Sequence, residues 1–172
     1  MAADPFNAVI VAIGEVSATK GHADSGRLTP LCQDAPVILY STDISILAEK
    51  DLCGFFVGWP SSPTPAQHLA VLRGSYRVVI AREAGSHHVV GFVNMISDGV
   101  LTAFIPWLEV LPDYQGKGIG SELLRRVLAA AEHLYSVDLT CDETLRPYYE
   151  GLGMQAVTGM AVRRWHVLNG DS

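Results

Sequence analysis

The chain reads as one mixed α/β domain whose sheet is antiparallel at first and parallel at its far side. Three features predict this. β-type runs joined by short turns fill the middle, from Tyr76 to Leu111. A long amphipathic run then separates the last of them from another strand-like run, Val137 to Asp142, and a helical crossover makes those two strands parallel. Between them, Gly116, Gly118 and Gly120 stand at alternate positions at the mouth of the helix.

In chain order, residues 1–35 contain a short apolar patch, Ala8 to Gly14, and then a polar, turn-rich stretch without a period. They read as a loosely ordered N-terminal arm, and residues 36–172 as the single domain. Val37 to Asp43 is a strand by composition. Asp43 or Ser45 can cap a helix over Ile44 to Phe56, where Ile44, Leu47 and Leu52 recur near helical spacing. "GWPSSPTP" ends it, and "AQHLAVLRGS" supplies a second, short helix that stops at Gly74. The meander follows: Tyr76 to Glu83, Val89 to Ile96, and Leu101 to Leu111, where Pro106 implies a bulge or an edge. The glycine helix should run from Gly118 to about Leu134, with Ile119, Leu123, Val127, Ala131 and Leu134 on one face and the pair Glu122/Arg126 on its wet side. After the strand at Val137 to Asp142, Leu145 to Gly153 is a short helix with Pro147 in its first turn and Gly153 as a left-handed stop. Met154 to Trp165 completes the sheet as its last strand.

Bulk properties narrow the function. At 172 residues, 49% hydrophobic and 17% charged, the chain can bury one sizeable core. A net charge of -6 argues against a nucleic-acid partner. No apolar run approaches the ~18 residues that a membrane span requires. The N-terminal patch lacks the basic flank and cleavage site of a signal peptide, so the cytoplasm is the expected compartment. Cys32, Cys53 and Cys141 are odd in number and widely spaced, which fits free thiols rather than a disulfide framework or a metal site.

The glycines bear on chemistry. A helix start presents unpaired N–H groups and the positive end of the helix dipole. Glycines before it admit positive φ and let a ligand approach the backbone, and the natural guest is a phosphate or pyrophosphate. The dinucleotide fingerprint fits poorly. Ser121 stands where it needs a third glycine, and "PDYQ" separates strand from turn, although Asp138 lies where a ribose-binding acid could. The antiparallel strands upstream also disagree with a dinucleotide-binding oxidoreductase.

The other fit is a family resemblance. Gln115-Gly116-Lys117-Gly118-Ile119-Gly120 is similar to the Q/R-x-x-G-x-G/A motif of the GNAT superfamily of acyl-CoA-dependent N-acetyltransferases, and "YYEGLGM" (Tyr148 to Met154) resembles that family's Y-E-x-x-G-F segment. The similarity runs from about Tyr76 to Trp165 and implies a GNAT-like fold with a splayed parallel strand pair. The resemblance implies that acetyl-CoA is co-substrate. Its pantetheine arm would lie along the backbone of Leu108, Glu109 and Val110, and its pyrophosphate would be wrapped by the motif from Gln115 through Gly116, Lys117, Gly118, Ile119 and Gly120 to Ser121. It implies that a backbone N–H near Leu108 stabilises the oxyanion, and that Tyr149 is the acid for the departing thiolate. Helical position by itself does not choose between Tyr148 and Tyr149.

The family often has a base where this chain has Phe104 and Pro106, and Glu109 is the nearest carboxylate, with Asp138 and Asp142 behind it. A water relay, or an amine arriving neutral, would need none of them. Trp59, between helix breakers, would border the acceptor groove. The implied reaction is direct acetyl transfer to a primary amine, on a small molecule or a peptide, with a homodimer compatible. The alternative within the family is an acyl-CoA-binding regulatory protein without turnover.

Overall fold

The structure is a computed structural model that describes residues 36–59 and 61–162. The N-terminal arm expected over residues 1–35 therefore lies outside the described residues, as does Cys32. Five strands form one sheet in chain order: β1 (Ile38–Ser41), β2 (Arg77–Glu83), β3 (Val89–Ser97), β4 (Thr102–Val110) and β5 (Ser136–Leu139). The first four are antiparallel neighbours and β4 pairs β5 in parallel. This is the mixed sheet that the short turns and the single helical crossover predict, and its antiparallel start rules out the dinucleotide fold.

The sheet is covered on both faces. On one lies α2 (Ile119–Ala129), entered from Gly118 in the left-handed region at φ 78°. Ile119, Leu123, Leu124 and Val127 of α2 are buried against Val79, Ala81, Val90, Val93, Leu108 and Val110 of the strands. Glu122 stays on the wet side, bonded to Arg125 and Arg126 at 2.8 and 2.7 Å. The helix is shorter than its apolar period. From Ala130 the chain tightens into i→i+3 turns, Ala131 to Leu128 and Leu134 to Ala131, which satisfy the last carbonyls while keeping Ala131 buried.

The opposite face is covered by α1 (Pro65–Gly74) and by a 3₁₀ turn at Glu49–Leu52. In α1 the Thr64 hydroxyl accepts from Gln67 N–H, and the Gln67 side chain accepts from Thr64 N–H, a capping box with Pro65 at the first helical position. Leu69 and Leu72 of α1 and Leu47 and Leu52 of the turn pack on Val78, Ile80 and Phe92.

Two expected elements fail to form. No α-helix spans Ile44 to Phe56. Side chains there satisfy the backbone locally, Asp43 accepting from Ser45 N–H and Asp51 from Ala48 N–H, both at 2.9 Å. Gly54, Phe56 and Gly58 then take positive φ, which no helix accommodates. The apolar spacing reports burial of Leu47 and Leu52 without helical geometry. The strand expected from Met154 is likewise absent: residues 154–162 pair with no strand and are mostly exposed, while residues 163–165 lie outside the described part. A composition rich in Val and Met favours a strand only where a neighbour offers a ladder and a surface to pack on. The short helix does form as α3 (Arg146–Gly151), with Pro147 in its first turn and Gly153 at φ 88°.

Pro106 sits in the bulge it implies. Asn94 faces Trp107 and Ile96 faces Phe104, so the two residues Ile105 and Pro106 stand where β3 supplies one. The extra residue reverses the alternation of β4. Ala103 and Ile105 face α2 before it, and Leu108 and Val110 face α2 after it. Trp107 and Glu109 are thereby turned to the other face, beneath Phe55 and Phe56.

Candidate active site

The site lies where β4 outruns β5. Their ladder ends at Ile105 opposite Leu139, so on that side Pro106 to Val110 have no strand beside them among the described residues. Leu111 N–H donates to Val90 carbonyl at 2.9 Å. By strand alternation the backbone groups of Trp107 and Glu109 turn the same way, toward β3, and those of Leu108 and Val110 turn to the open side. The Gln115 side-chain amide confirms the direction by donating to Val110 carbonyl at 2.8 Å. This is a splayed parallel pair whose ladder positions in the gap pair with no described strand, as the fold class requires.

Gln115 leads into the glycine turn at the end of that gap. Gly116 and Gly118 have φ of 70° and 78°, and a Cβ at either would meet nothing within 4 Å. Their bareness is required by backbone conformation and leaves open space over the first turn of α2, where N–H groups are free for an anion. Gly120 and Ile119 are buried in the helix and hold its mouth to the sheet. Lys117 is exposed, with Nζ on Asp113 carbonyl at 2.8 Å and over the Tyr114 ring. Ser121 Oγ bonds Tyr148 Oη at 3.2 Å, joining α2 to α3.

The structure separates the two tyrosines. Tyr148 is half-buried and bonded to Ser121. Tyr149 is 3% exposed in the α2-side core, and its hydroxyl has no partner among the described residues. Burial pushes its pKa well above the ordinary value, with Tyr148 and Cys141 beside it adding to the rise, so the group is protonated at any working pH.

Glu109 is on the other face. It is 3% exposed; Oε2 accepts from Phe56 N–H at 2.8 Å, while Oε1 has no partner. Burial raises its pKa from 4.5 to about 7, and the Phe56 bond pulls the other way. Among the described residues no cation neutralises it. Phe56 itself stands at φ 61°, costing roughly 1–3 kcal/mol for a bulky residue. Its N–H on Glu109, its carbonyl on Ser62 Oγ at 3.0 Å and its ring among aromatic neighbours hold it there.

Comparison with known proteins follows the same lines. Residues 44–154 match the model of the acetyltransferase (GNAT) family. The chain belongs to that family. A crystal structure assigned as an acetyltransferase from Deinococcus radiodurans R1 is 43% identical, with a TM-score of 0.72 over 74% of this chain and 89% of that one. A GNAT acetyltransferase from Streptococcus pneumoniae TIGR4 is 27% identical, with a TM-score of 0.62 over 74% and 98%. The histone acetyltransferase TAP1 of Glycine max is 28% identical over 132 residues, 69% of this chain and 56% of its own. The chain thus spans about half the length of the curated relatives it matches.

The glycine turn follows the open edge of β4, and Tyr149 is buried in the same apolar cluster as Leu108 and Val110. Asp138 does not join them. It stands on β5 opposite Phe104, exposed. Asp142 lies past the end of β5 and its pKa is raised by burial. Trp59 packs edge-on against Phe56 at 5.2 Å, on the Glu109 face. Sequence reasoning missed Phe56, His68 and Asn94. His68 and Asn94 are buried polar groups on that same face; the apolar run around Asn94 hinted that it would be inside, while His68 directly follows Gln67 and gave no such hint.

Proposed function

We propose that this GNAT protein transfers an acetyl group from acetyl-CoA to a primary amine, with Glu109 as base and Tyr149 as acid. The observation that carries the reading is the opposition of these two groups. Glu109, with an unpartnered acceptor oxygen, is on one face of the sheet. Tyr149, with an unpartnered hydroxyl, is on the other, and the open edge of β4 runs between them. A thioester laid in that gap would meet an amine from the Glu109 side and release its sulfur toward Tyr149.

In this scheme the Gln115–Ser121 turn takes the pyrophosphate, and Leu108 and Val110 offer backbone groups to the pantetheine amides. Leu108 N–H is the donor for the developing oxyanion. An alkylamine arrives as ammonium, its pKa being about 10.4. Ionised Glu109 takes one proton, and the neutral nitrogen forms the bond to the carbonyl carbon. The nitrogen loses a second proton, the C–S bond breaks, and Tyr149 protonates the sulfur and recovers its proton from solvent. The products are the acetamide, CoA thiol and one net proton.

The test incubates the protein with acetyl-CoA and a panel of primary amines and follows free thiol, with acetyl-CoA affinity measured in parallel by calorimetry. Amine-dependent thiol release supports the reading. Tight acyl-CoA binding without release on any amine would favour a regulatory binder, and absence of binding would remove both.

A further inference from the structure

The polar atoms left over beneath the Phe55–Trp59 turn are of one kind. Glu109 Oε1, Asn94 Oδ1 and His68 Nε2 are buried and, among the described residues, have no hydrogen-bond partner. All are acceptors. Asn94 spends its amide donor on Ser75 Oγ at 3.0 Å. His68 is bonded to the Leu52 backbone through its other ring nitrogen, and burial keeps the ring neutral by lowering its pKa to about 4. Nε2 therefore carries a lone pair.

These groups share one neighbourhood. Phe92 faces Glu109 across the β3–β4 ladder, lies two residues before Asn94 on the same face, and has its ring 4.4 Å from that of His68. The walls are aromatic. Phe56 is buried at the centre, in edge contact with Trp59 at 5.2 Å and Trp107 at 5.7 Å. Both tryptophans are only partly buried and reach the surface, while Phe56 is closed in between them as the floor of the aromatic cluster. The strained backbone of Phe56 also ties this floor to the carboxylate.

A guest suited to these groups brings N–H donors at one end and apolar surface at the other. A primary ammonium has three donors and no acceptor. An aromatic ring would gain edge contacts with Trp59 and Trp107. We infer that the acceptor of this protein is a primary monoamine carried on a short, ring-bearing apolar chain, an arylalkylamine, held under the Phe55–Trp59 turn with its nitrogen at Glu109. The assignment rests on the acetyltransferase reading above and narrows its substrate. With Glu109 ionised, the three unpartnered atoms would offer a phosphate or carboxylate on the guest no donor. A polyamine would bring extra charges to a pocket with one carboxylate, and the hydroxyls of an amino sugar would lose their water against the indole rings.

The test is calorimetry on the full chain saturated with CoA, using 2-phenylethylamine, spermidine and glucosamine 6-phosphate as probes. 2-Phenylethylamine should bind at least tenfold more tightly than either of the others. Trp107→Ala should weaken it at least tenfold and leave CoA affinity within twofold. Trp59→Leu, which keeps apolar volume and loses the ring, should weaken it about threefold and serves if the first variant does not fold. Tighter binding of spermidine or glucosamine 6-phosphate, no binding of any amine, or indifference to both substitutions would overturn the inference while CoA binding stands. Failure to bind CoA at all would remove the acetyltransferase reading, and this inference with it.

Discussion

Phe56 and Glu109 are 53 residues apart and meet through one buried hydrogen bond, backbone N–H to Oε2 at 2.8 Å. Half of the carboxylate is thereby fixed and half left available. The bond also draws the pKa of Glu109 down while burial raises it to about 7, with burial the larger effect.

This has a consequence for stability against pH. The folded pKa of Glu109 is raised above the ordinary 4.5, so the folded state holds a proton that the unfolded chain has lost between pH 4.5 and about 7. The associated stability is complete below that window and is lost as pH rises through it. Glu109→Gln cannot titrate there. Its melting temperature, relative to that of the parent, should climb between pH 5 and 8; parallel curves would show that Glu109 is not buried as described.

The same substitution tests the chemistry. With ionised Glu109 as base, kcat/KM of the parent should rise with pH and level off above about 7. Glu109→Gln should lose roughly 10²–10³ in rate and this acid limb with it. A variant that retains both rate and limb assigns the base elsewhere.

Tyr149→Phe removes a buried hydroxyl that has no partner. Deleting an unsatisfied polar group costs no hydrogen bond, so the variant should melt at the parent's temperature or slightly above it. Its kcat should fall by about a hundredfold, the low end for general acid catalysis because a thiolate leaves readily. Tyr148→Phe, which loses the bond to Ser121, should keep most of its activity. Equal kinetics for the two variants would remove Tyr149 from the acid role.

Gly118→Asn separates conformation from access. Asn tolerates the left-handed region better than other residues, so the turn at φ 78° should persist. The added side chain occupies space that is open in the structure. CoA affinity should drop at least tenfold, ~1.4 kcal/mol, with little change in melting temperature. A folded variant that binds CoA normally would place the pyrophosphate elsewhere.

Thr64→Ala should open the capping box of α1 and cost about 1 kcal/mol. For a chain of this length, that lowers the melting temperature by roughly 2–4 °C. Thermal denaturation of the variant beside the parent measures it.

Thr64 also shows what was legible. Its box with Gln67 is a local pattern that the sequence reading passed over, whereas the meander, the bulge at Pro106 and the helix-opening glycines were read from it. Each is governed by residues within a few positions of one another. The turn from Ser45 to Trp59 was misread because apolar spacing records which side chains are inside and is silent on backbone path. Phe56, the one non-glycine among the three residues of positive φ there, is held by Glu109, far along the chain. His68 and Asn94 were missed for the same reason: each faces Phe92 or its neighbours across strands and helices that only the assembled sheet brings together. Tyr148 and Tyr149 are equivalent on a helical wheel, and it took α2 and the sheet to bury one and bond the other.

The bulge at Pro106 makes β4 behave like a message with a phase shift in the middle. Upstream, odd-numbered residues speak to α2; downstream, even-numbered ones do. Removal of Pro106 would therefore cancel the shift: one residue would stand opposite Met95, and everything that follows would keep the face it has now. Straightening the bulge at full length would do the reverse, a slip of one residue in which Leu108 and Val110 trade faces with Trp107 and Glu109, setting a carboxylate against the apolar side of α2 and stripping the aromatic side of its one ionisable group on this strand. Point substitutions along the strand degrade it by degrees, whereas such a slip admits no partial outcome.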